Sequence, residues 1–371
     1  MKILLLAGEE SGELYAARLR RLLAAHEIRG FSDYGFKTSD LAVMGFGAVL
    51  RKLPYFLGVK KTMERAIVEW RPDVVCTIDY PGMNLKLAAF ARSRGVRTVH
   101  VVCPQVWAWK AGRIPKIEAS VDRLCCFFPF EPSLFKEGFA EFVGHPLVEE
   151  FSREPAPSPS PAGRRIVAVL PGSRLGEIER NLPTLLTAVR QLGAEYGEAI
   201  DFVIPSANET AYRRIVEMVA SANAMPRPPA VVLGGARNVL RSAECAVVAS
   251  GTATLEAALA RCPTVLVYRV SAALAWFARR VIKGVRHIGL ANVIWEKSSG
   301  CGEAPMPELL QEDFTAGNVI AALRRWLANP SERAAAVSRL DAIVKSLETE
   351  ESAFARIVEA VLGRTPPDTV R

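Results

Sequence analysis

The sequence has no Cys-x-x-Cys pair, no Gly-x-Gly-x-x-Gly turn, no Walker lysine motif and no apolar run long enough to span a bilayer. Its seven cysteines, Cys76, Cys103, Cys125, Cys126, Cys245, Cys262 and Cys301, lie mostly inside apolar runs. They read as reduced core residues, neither a disulfide framework nor a zinc site. The four histidines, His26, His100, His145 and His287, are far apart and form no ligand pair, so metal catalysis has no support and no cofactor is expected. The missing glycine and lysine signatures disfavour a dinucleotide dehydrogenase and an ATPase. Met1 to Ala7 is a short apolar run with no signal-peptide cleavage pattern, which leads us to expect a cytoplasmic chain. There is no short-period repeat and no long low-complexity tract.

What is present is a folded chain of 371 residues, half of them hydrophobic and 23% charged. That length predicts more than one domain. Lysine and arginine number 47 against 39 acids, a surplus of +8 that suits anionic partners: nucleic acid, anionic lipid or phosphorylated small molecules.

Apolar runs alternate with amphipathic helical patterns, which predicts an α/β fold of parallel strands joined by crossover helices. In the first half the strands are expected at Ile3 to Ala7, Val74 to Ile78, Thr98 to Val102, Arg123 to Phe127 and Glu141 to Val143, and helices at Leu14 to Ala25, Lys60 to Trp70 and Leu85 to Arg94. The runs are continuous rather than alternating, as in strands buried on both faces. In Arg153 to Arg164, prolines 155, 157, 159 and 161 alternate with alanine and serine, a composition that reads as a linker. The pattern then restarts, with strands at Ile166 to Leu170, Phe202 to Ile204, Val231 to Leu233, Ala246 to Ala249 and Val265 to Tyr268, and helices beginning at Glu177, Glu209, Ala253, Ala272, Ala316 and Ser331. The expected organisation is two Rossmann-like, doubly wound domains facing across a cleft: 1–152, a linker at 153–164, 165–345, and a C-terminal helix and tail at 346–371 that packs back on the first domain.

In open α/β sheets ligands bind beyond the carboxyl ends of the strands. After the first strand of the second half stands Leu170-Pro171-Gly172-Ser173-Arg174, opening a helix. Small residues let the backbone approach a ligand, the helix N-terminus offers N–H groups to an anion, and Arg174 can fork onto a pyrophosphate. A second loop, Ala249-Ser250-Gly251-Thr252-Ala253-Thr254-Leu255-Glu256, also follows a strand and opens a helix. Ser250, Gly251 and Thr252 make a phosphate seat, and Glu256 one turn on suits the two hydroxyls of a ribose. Either loop alone reads equally as an ordinary strand-to-helix turn, whereas two in one domain favour a nucleoside diphosphate.

The first half places Glu9 after one strand and Asp79 after another, where a carboxylate can take a proton from an attacking hydroxyl or simply hold a loop. Trp107 and Trp109, in Pro104 to Lys110, suit a sugar or acyl chain and equally a core. Trp276 and Phe277 lie beside Arg279, Arg280 and Lys283 in an amphipathic stretch suited to a membrane surface, or to packing with a solvated basic face.

Read in order, AGEESGE (7–13), LAVMGFGAVL (41–50), the run around Asp79 and Asn84, PQVWAWK (104–110), FPFEPSLF (128–135), FVGHPL (142–147), LPGSRLGEI (170–178), ASGTATLE (249–256), VYRVS (267–271) and PELLQED (307–313) resemble the bacterial lipid-A-disaccharide synthases. These are inverting glycosyltransferases of the two-domain B-type fold. The resemblance implies transfer of 2,3-diacylglucosamine from its UDP derivative to the 6-hydroxyl of 2,3-diacylglucosamine 1-phosphate, giving UDP and a β-1,6-linked tetraacyl disaccharide phosphate. It implies no metal, no nucleic acid partner and peripheral association with the cytoplasmic leaflet of the inner membrane, and it leaves a homodimer open. Asp79 then matches the family's proposed base, Glu9 its cleft glutamate and Arg174 its diphosphate-binding arginine. Ser250, Gly251, Thr252 and Glu256 match its donor loop, and Asn292 and Gln311 its polar donor-side positions, while Gly172 and Ser173 join the nucleotide site from the reading of the first glycine loop. A UDP-sugar epimerase, and a non-catalytic nucleotide-sugar or lipid-phosphate binding protein, are the rival readings.

Overall fold

The computed structural model describes residues 1–41, 52–154, 163–222, 225, 227–271, 276, 280, 284–298 and 303–364. Residues 155–162 of the linker expected at 153–164, most of the motif at 41–50, Phe277 and the start of a helix at Ala272 lie outside the described residues. The chain divides into two compact units, one formed by Met1–Glu149 with the chain from Leu347 onward, the other by Glu150–Ser346.

The first unit holds a six-stranded parallel sheet: β1 (Lys2–Ala7), β2 (Glu27–Arg29), β3 (Val74–Ile78), β4 (Arg97–Val101), β5 (Arg123–Cys126) and β6 (Ala140–Phe142), in the order β2-β1-β3-β4-β5-β6. Successive side chains of a strand point to opposite faces, so β1 feeds two cores. Ile3, Leu5 and Ala7 join Leu19, Phe354, Ile357 and Val361, whereas Leu4 and Leu6 join Val59, Met63 and Ile67 of the helix Leu53–Trp70. This two-sided burial is why the strand reads as a continuous apolar run.

Phe354, Ile357 and Val361 come from the C-terminal helix Ala353–Leu362, whose ends are tied into this unit. Glu149 accepts from the Ala353 N–H at 2.6 Å, and Arg97 donates to the Ala360 and Val361 carbonyls at 2.6 and 3.2 Å. Burying each of the two larger side chains contributes roughly 1.5–3 kcal/mol.

The second unit repeats the plan with β7 (Arg165–Leu170), β8 (Ile200–Ser206), β9 (Ala230–Leu233), β10 (Ala243–Ala249), β11 (Thr264–Tyr268) and β12 (Glu308–Leu310), all parallel, in the order β12-β11-β10-β7-β8-β9. Val167 and Val169 pack on Ile178, Leu182, Leu185 and Val189 of the helix Leu175–Tyr196, with Val319, Leu323 and Trp326 of the helix Ala316–Ala328 beside them.

The strand orders fix where a ligand belongs. In the first sheet the chain steps outward from β1 to β2 and then crosses to β3, so the topological switch lies between β1 and β3. In the second it steps from β7 through β8 to β9 and crosses back to β10, so the switch lies between β7 and β10. Crossover helices splay apart at such a point and leave a crevice at the strand ends.

Candidate functional site

Each switch point is flanked by loops singled out in the sequence. In the first unit, Glu9 follows β1 and Asp79 follows β3. Glu9 occupies the N-cap of the helix Glu10–Leu22 without capping it through its side chain, so the carboxylate is left for other work. Asp79 and Tyr80 hold consecutive left-handed conformations, φ +48° and +50°, which non-glycine residues adopt only when the surroundings impose them.

Those surroundings are visible. Asn84, completely buried, donates its amide to the carbonyls of Leu6 (3.3 Å), Ile78 (3.1 Å) and Asp79 (2.8 Å), pinning the ends of β1 and β3 to one another. The Tyr80 N–H donates to Asp79 Oδ1 at 2.8 Å, and the Tyr80 ring covers Gly8 so closely that an added Cβ would lie 2.4 Å from it. Glycine at position 8 is therefore required by the approach of that ring.

Burial raises the Asp79 carboxyl above its ordinary range, against the Tyr80 N–H, which lowers it. Glu9 is raised too, first by burial and then by the negative charge of Asp79. Two neighbouring carboxyl groups of raised basicity, at the ends of two adjacent strands, are suited to removing a proton from a hydroxyl.

In the second unit the two glycine loops meet. Gly172 and Ser173 after β7, and Ser250, Gly251, Thr252 and Glu256 after β10, line one cavity of about 250 Å³, with Pro205 and Ala207 from the end of β8. Gly172 has φ +128°, and a Cβ there would lie 2.7 Å from Glu177 Cβ, so glycine is needed on both counts. The helices Leu175–Tyr196 and Thr252–Leu259 both begin without a side-chain cap, at Arg174 and Gly251. Their first N–H groups are free to meet an anion, with the positive ends of two helix dipoles behind them.

Arg174 is exposed and donates to Glu177 Oε1 at 3.1 Å, while the Ser173 N–H donates to Glu177 Oε2 at 3.3 Å. Asn181, buried in the second turn of the same helix, donates to the Pro171 carbonyl at 2.8 Å and holds the loop to the helix it opens. Glu177 and Asn181 were not anticipated, although both lie on the helix that the glycine loop opens.

Other expected residues are placed differently. Asn292 is fully buried, with its amide donating to the Met306 carbonyl (2.7 Å) and Glu308 Oε1 (2.8 Å) and its carbonyl accepting from the Met306 N–H (3.0 Å). It therefore braces the entry to β12 rather than offering a polar group to a ligand. Gln311, at φ +50° just past β12, is half-buried and lends its backbone carbonyl to Arg269 at 3.4 Å.

Trp107 belongs to the core: its Nε1 donates to Glu131 Oε1 at 3.0 Å, and its ring meets Phe128 and Phe130 edge-on. Trp109 is partly exposed with Lys110 over its ring, and Trp276 is 58% exposed with the Arg280 guanidinium 3.9 Å from its ring centre. His145 is buried and accepts from the Leu147 N–H, its imidazole lowered by burial to about 3, so it is neutral and no acid–base partner at physiological pH.

Among the described residues, one trio has the donor atoms for a metal: Cys103, Cys126 and Glu131, all buried and within 4.8 Å of one another. Both Glu131 oxygens already accept, from Trp107 Nε1 and the Phe128 N–H, and burial pushes the Cys126 thiol well up, so the trio reads as a neutral core network.

Burial raises the Glu131 carboxyl to about 8. A group held protonated in the fold stabilises it fully below its unfolded value and loses that contribution as pH rises through the folded one. Glu131→Gln should therefore gain stability relative to the parent between pH 5 and pH 8, by on the order of 4 kcal/mol. Urea midpoints of the two proteins across that range check it, and parallel profiles would show Glu131 to be ionised in the fold.

A family model described as lipid-A-disaccharide synthetase matches residues 3–361. The lipid-A-disaccharide synthase of Acidobacterium capsulatum is 36% identical, covering 96% of this chain and 94% of its own. The enzyme of the same name from Neisseria meningitidis serogroup A is 36% identical over 88% and 89%. Among solved structures, S. aureus MnaA in complex with UDP superposes with a TM-score of 0.63 at 13% identity, covering 99% of this chain and 98% of that one. The calicheamicin glycosyltransferase CalG4 gives 0.58 at 17% identity and 99% coverage of both. At these identities the structural likeness speaks to the fold, that of the B-type glycosyltransferases and their epimerase relatives.

Proposed function

The chain belongs to the lipid-A-disaccharide synthetase family, and from that premise we propose the reaction its two sites perform. It is a UDP-sugar glycosyltransferase of lipid A biosynthesis. The donor is UDP-2,3-diacylglucosamine and the acceptor 2,3-diacylglucosamine 1-phosphate, whose 6-hydroxyl oxygen forms the new bond to the anomeric carbon as the bond to UDP breaks. The observation that carries this reading is the family match across residues 3–361.

The geometry supports a role for each group. The diphosphate takes the N–H groups at the two uncapped helix starts, with Arg174 closing on it and Glu256 on the ribose. Charge that develops on the leaving UDP is met there by fixed dipoles, which need no reorganisation as the bond breaks. The hydroxyl proton passes to the raised carboxylate of Asp79, with Glu9 beside it. Inversion follows from a single displacement and calls for no covalent intermediate. Gln311 stays with the donor side, at the end of β12.

Both substrates carry acyl chains, and we place the enzyme peripherally at the cytoplasmic leaflet of the inner membrane. The +8 surplus and the exposed Trp276–Arg280 pair support contact with an anionic surface. Among the described residues no helix is long and apolar enough to cross a membrane.

A UDP-release assay in detergent tests the reading. Release is expected only when donor and acceptor are both present. Consumption of the donor alone, with no dependence on acceptor, would contradict it.

A further inference from the structure

The carboxylate of Glu256 does not stand by itself. Its Oε1 accepts from Arg237 Nε at 2.9 Å, and Arg237 is the second residue of the short helix Ala236–Ser242 that follows β9. On its other side the same guanidinium uses NH1 to reach Glu150 Oε2 at 2.9 Å and Glu154 Oε1 at 3.1 Å, with the Phe151 ring 5.3 Å from its centre. Arg237 is thus a planar link, fastened at one edge to residues 150–154 and at the other to the second turn of the helix Thr252–Leu259.

Glu256 Oε2 has no hydrogen-bond partner among the described residues, and Glu256 lines the cavity formed by the two glycine loops. A free glutamate has three rotatable side-chain bonds to immobilise when it takes a ligand. One held by a fork that is itself held is ready beforehand. The guanidinium is suited to this because its donors diverge in one rigid plane, which the point charge of a lysine cannot imitate.

We infer that Arg237 is a positioning residue that aims the Glu256 carboxylate at the two ribose hydroxyls of the nucleotide. The inference rests on the reading of the second unit's cavity as the UDP site. It assigns Arg237 no contact with the ligand. Its effect is confined to the part of UDP that Glu256 touches, so phosphate recognition by the glycine loops is independent of it.

Calorimetric binding of UDP and of 2′,3′-dideoxy-UDP to the whole protein, its Arg237 variants and Glu256→Ala tests this. The parent should prefer UDP by about tenfold or more, the worth of hydrogen bonds to a charged group. Arg237→Ala should bring that ratio below about threefold by weakening UDP alone, leaving the dideoxy nucleotide within about twofold of the parent. Arg237→Lys should fall between the two. Should Arg237→Ala lose its cooperative thermal transition, because Glu150 and Glu256 lose the cation that both face, Arg237→Lys keeps the charge, and a drop in its ratio carries the same test. If the Arg237 variants keep the parent's ratio while Glu256→Ala loses it, the ribose reading stands and the role of Arg237 is overturned. If Glu256→Ala also keeps the ratio, the ribose reading itself fails and takes the inference with it.

Discussion

Asp79→Asn is expected to lower kcat by about three orders of magnitude while leaving the dissociation constant for UDP unchanged. The substitution is narrow. The asparagine carbonyl oxygen can accept from the Tyr80 N–H as Oδ1 does at 2.8 Å, and asparagine tolerates the left-handed φ of +48° that position 79 requires. Asn84 still gathers the carbonyls of Leu6, Ile78 and Asp79, so the strand ends remain joined. What is lost is the basic oxygen, in a place where burial makes it a better proton acceptor than an ordinary aspartate. Removing its charge also relieves Glu9, which Asp79 helps to raise. The residual activity of the variant should therefore have its acidic limb at lower pH than the parent. Steady-state rates across pH, with UDP titrations on the same preparations, check both halves. Full turnover in the variant would remove Asp79 from the mechanism.

Arg174→Ala should act on both terms, weakening UDP binding by about tenfold or more and lowering kcat/KM by about a hundredfold or more. The side chain is 62% exposed and its described partner is Glu177, three residues on, so the fold gives up little when it is removed. The difference between the two losses is the informative quantity. Charge on the departing diphosphate grows as the glycosidic bond breaks, so an arginine that meets it contributes more to the transition state than to the bound substrate. Equal losses in affinity and in kcat/KM would mean that Arg174 only holds the donor. Arg174→Lys should recover part of the binding and less of the rate, since a lysine supplies one charge without the fork.

How far the sequence reveals this molecule depends on where each element is buried. The strands β1, β3, β7 and β10 are flanked by neighbours and buried on both faces, and such strands write themselves as runs like Val74 to Ile78 and Ile166 to Leu170. The edge strands β2 and β12 do not. Each has three residues, Glu27–Arg29 and Glu308–Leu310, is only partly buried, and is a strand because its backbone pairs with a neighbour. Helix starts were drawn late for a related reason. Proline in the first turn lacks only an N–H that the helix would not use, so the helices expected from Lys60 and Leu85 begin at Leu53 and Pro81.

The site shows the same division. Glycines and small hydroxyl residues after a strand announce close backbone approach, and Gly172, Ser173, Ser250, Gly251 and Thr252 do line one cavity. The fate of Trp107 was illegible because its partner, Glu131, lies 24 residues away. Asn292 carries no mark in the sequence of the Met306 backbone that engages both ends of its amide. Arg237 is harder still, since Glu150, Glu154 and Glu256 come to it from separate stretches of the chain. Contacts that run across the fold leave no local pattern, whereas residues chosen for a turn do.

The measurement that bears most directly on the whole account is identification of the product formed from UDP-2,3-diacylglucosamine and 2,3-diacylglucosamine 1-phosphate in detergent, by mass spectrometry and proton NMR. The expected product is a tetraacyl disaccharide 1-phosphate, β-linked to the 6-oxygen, with one UDP released for each linkage. An α-linked product, or unchanged acceptor beside a protein that still binds UDP, would contradict it.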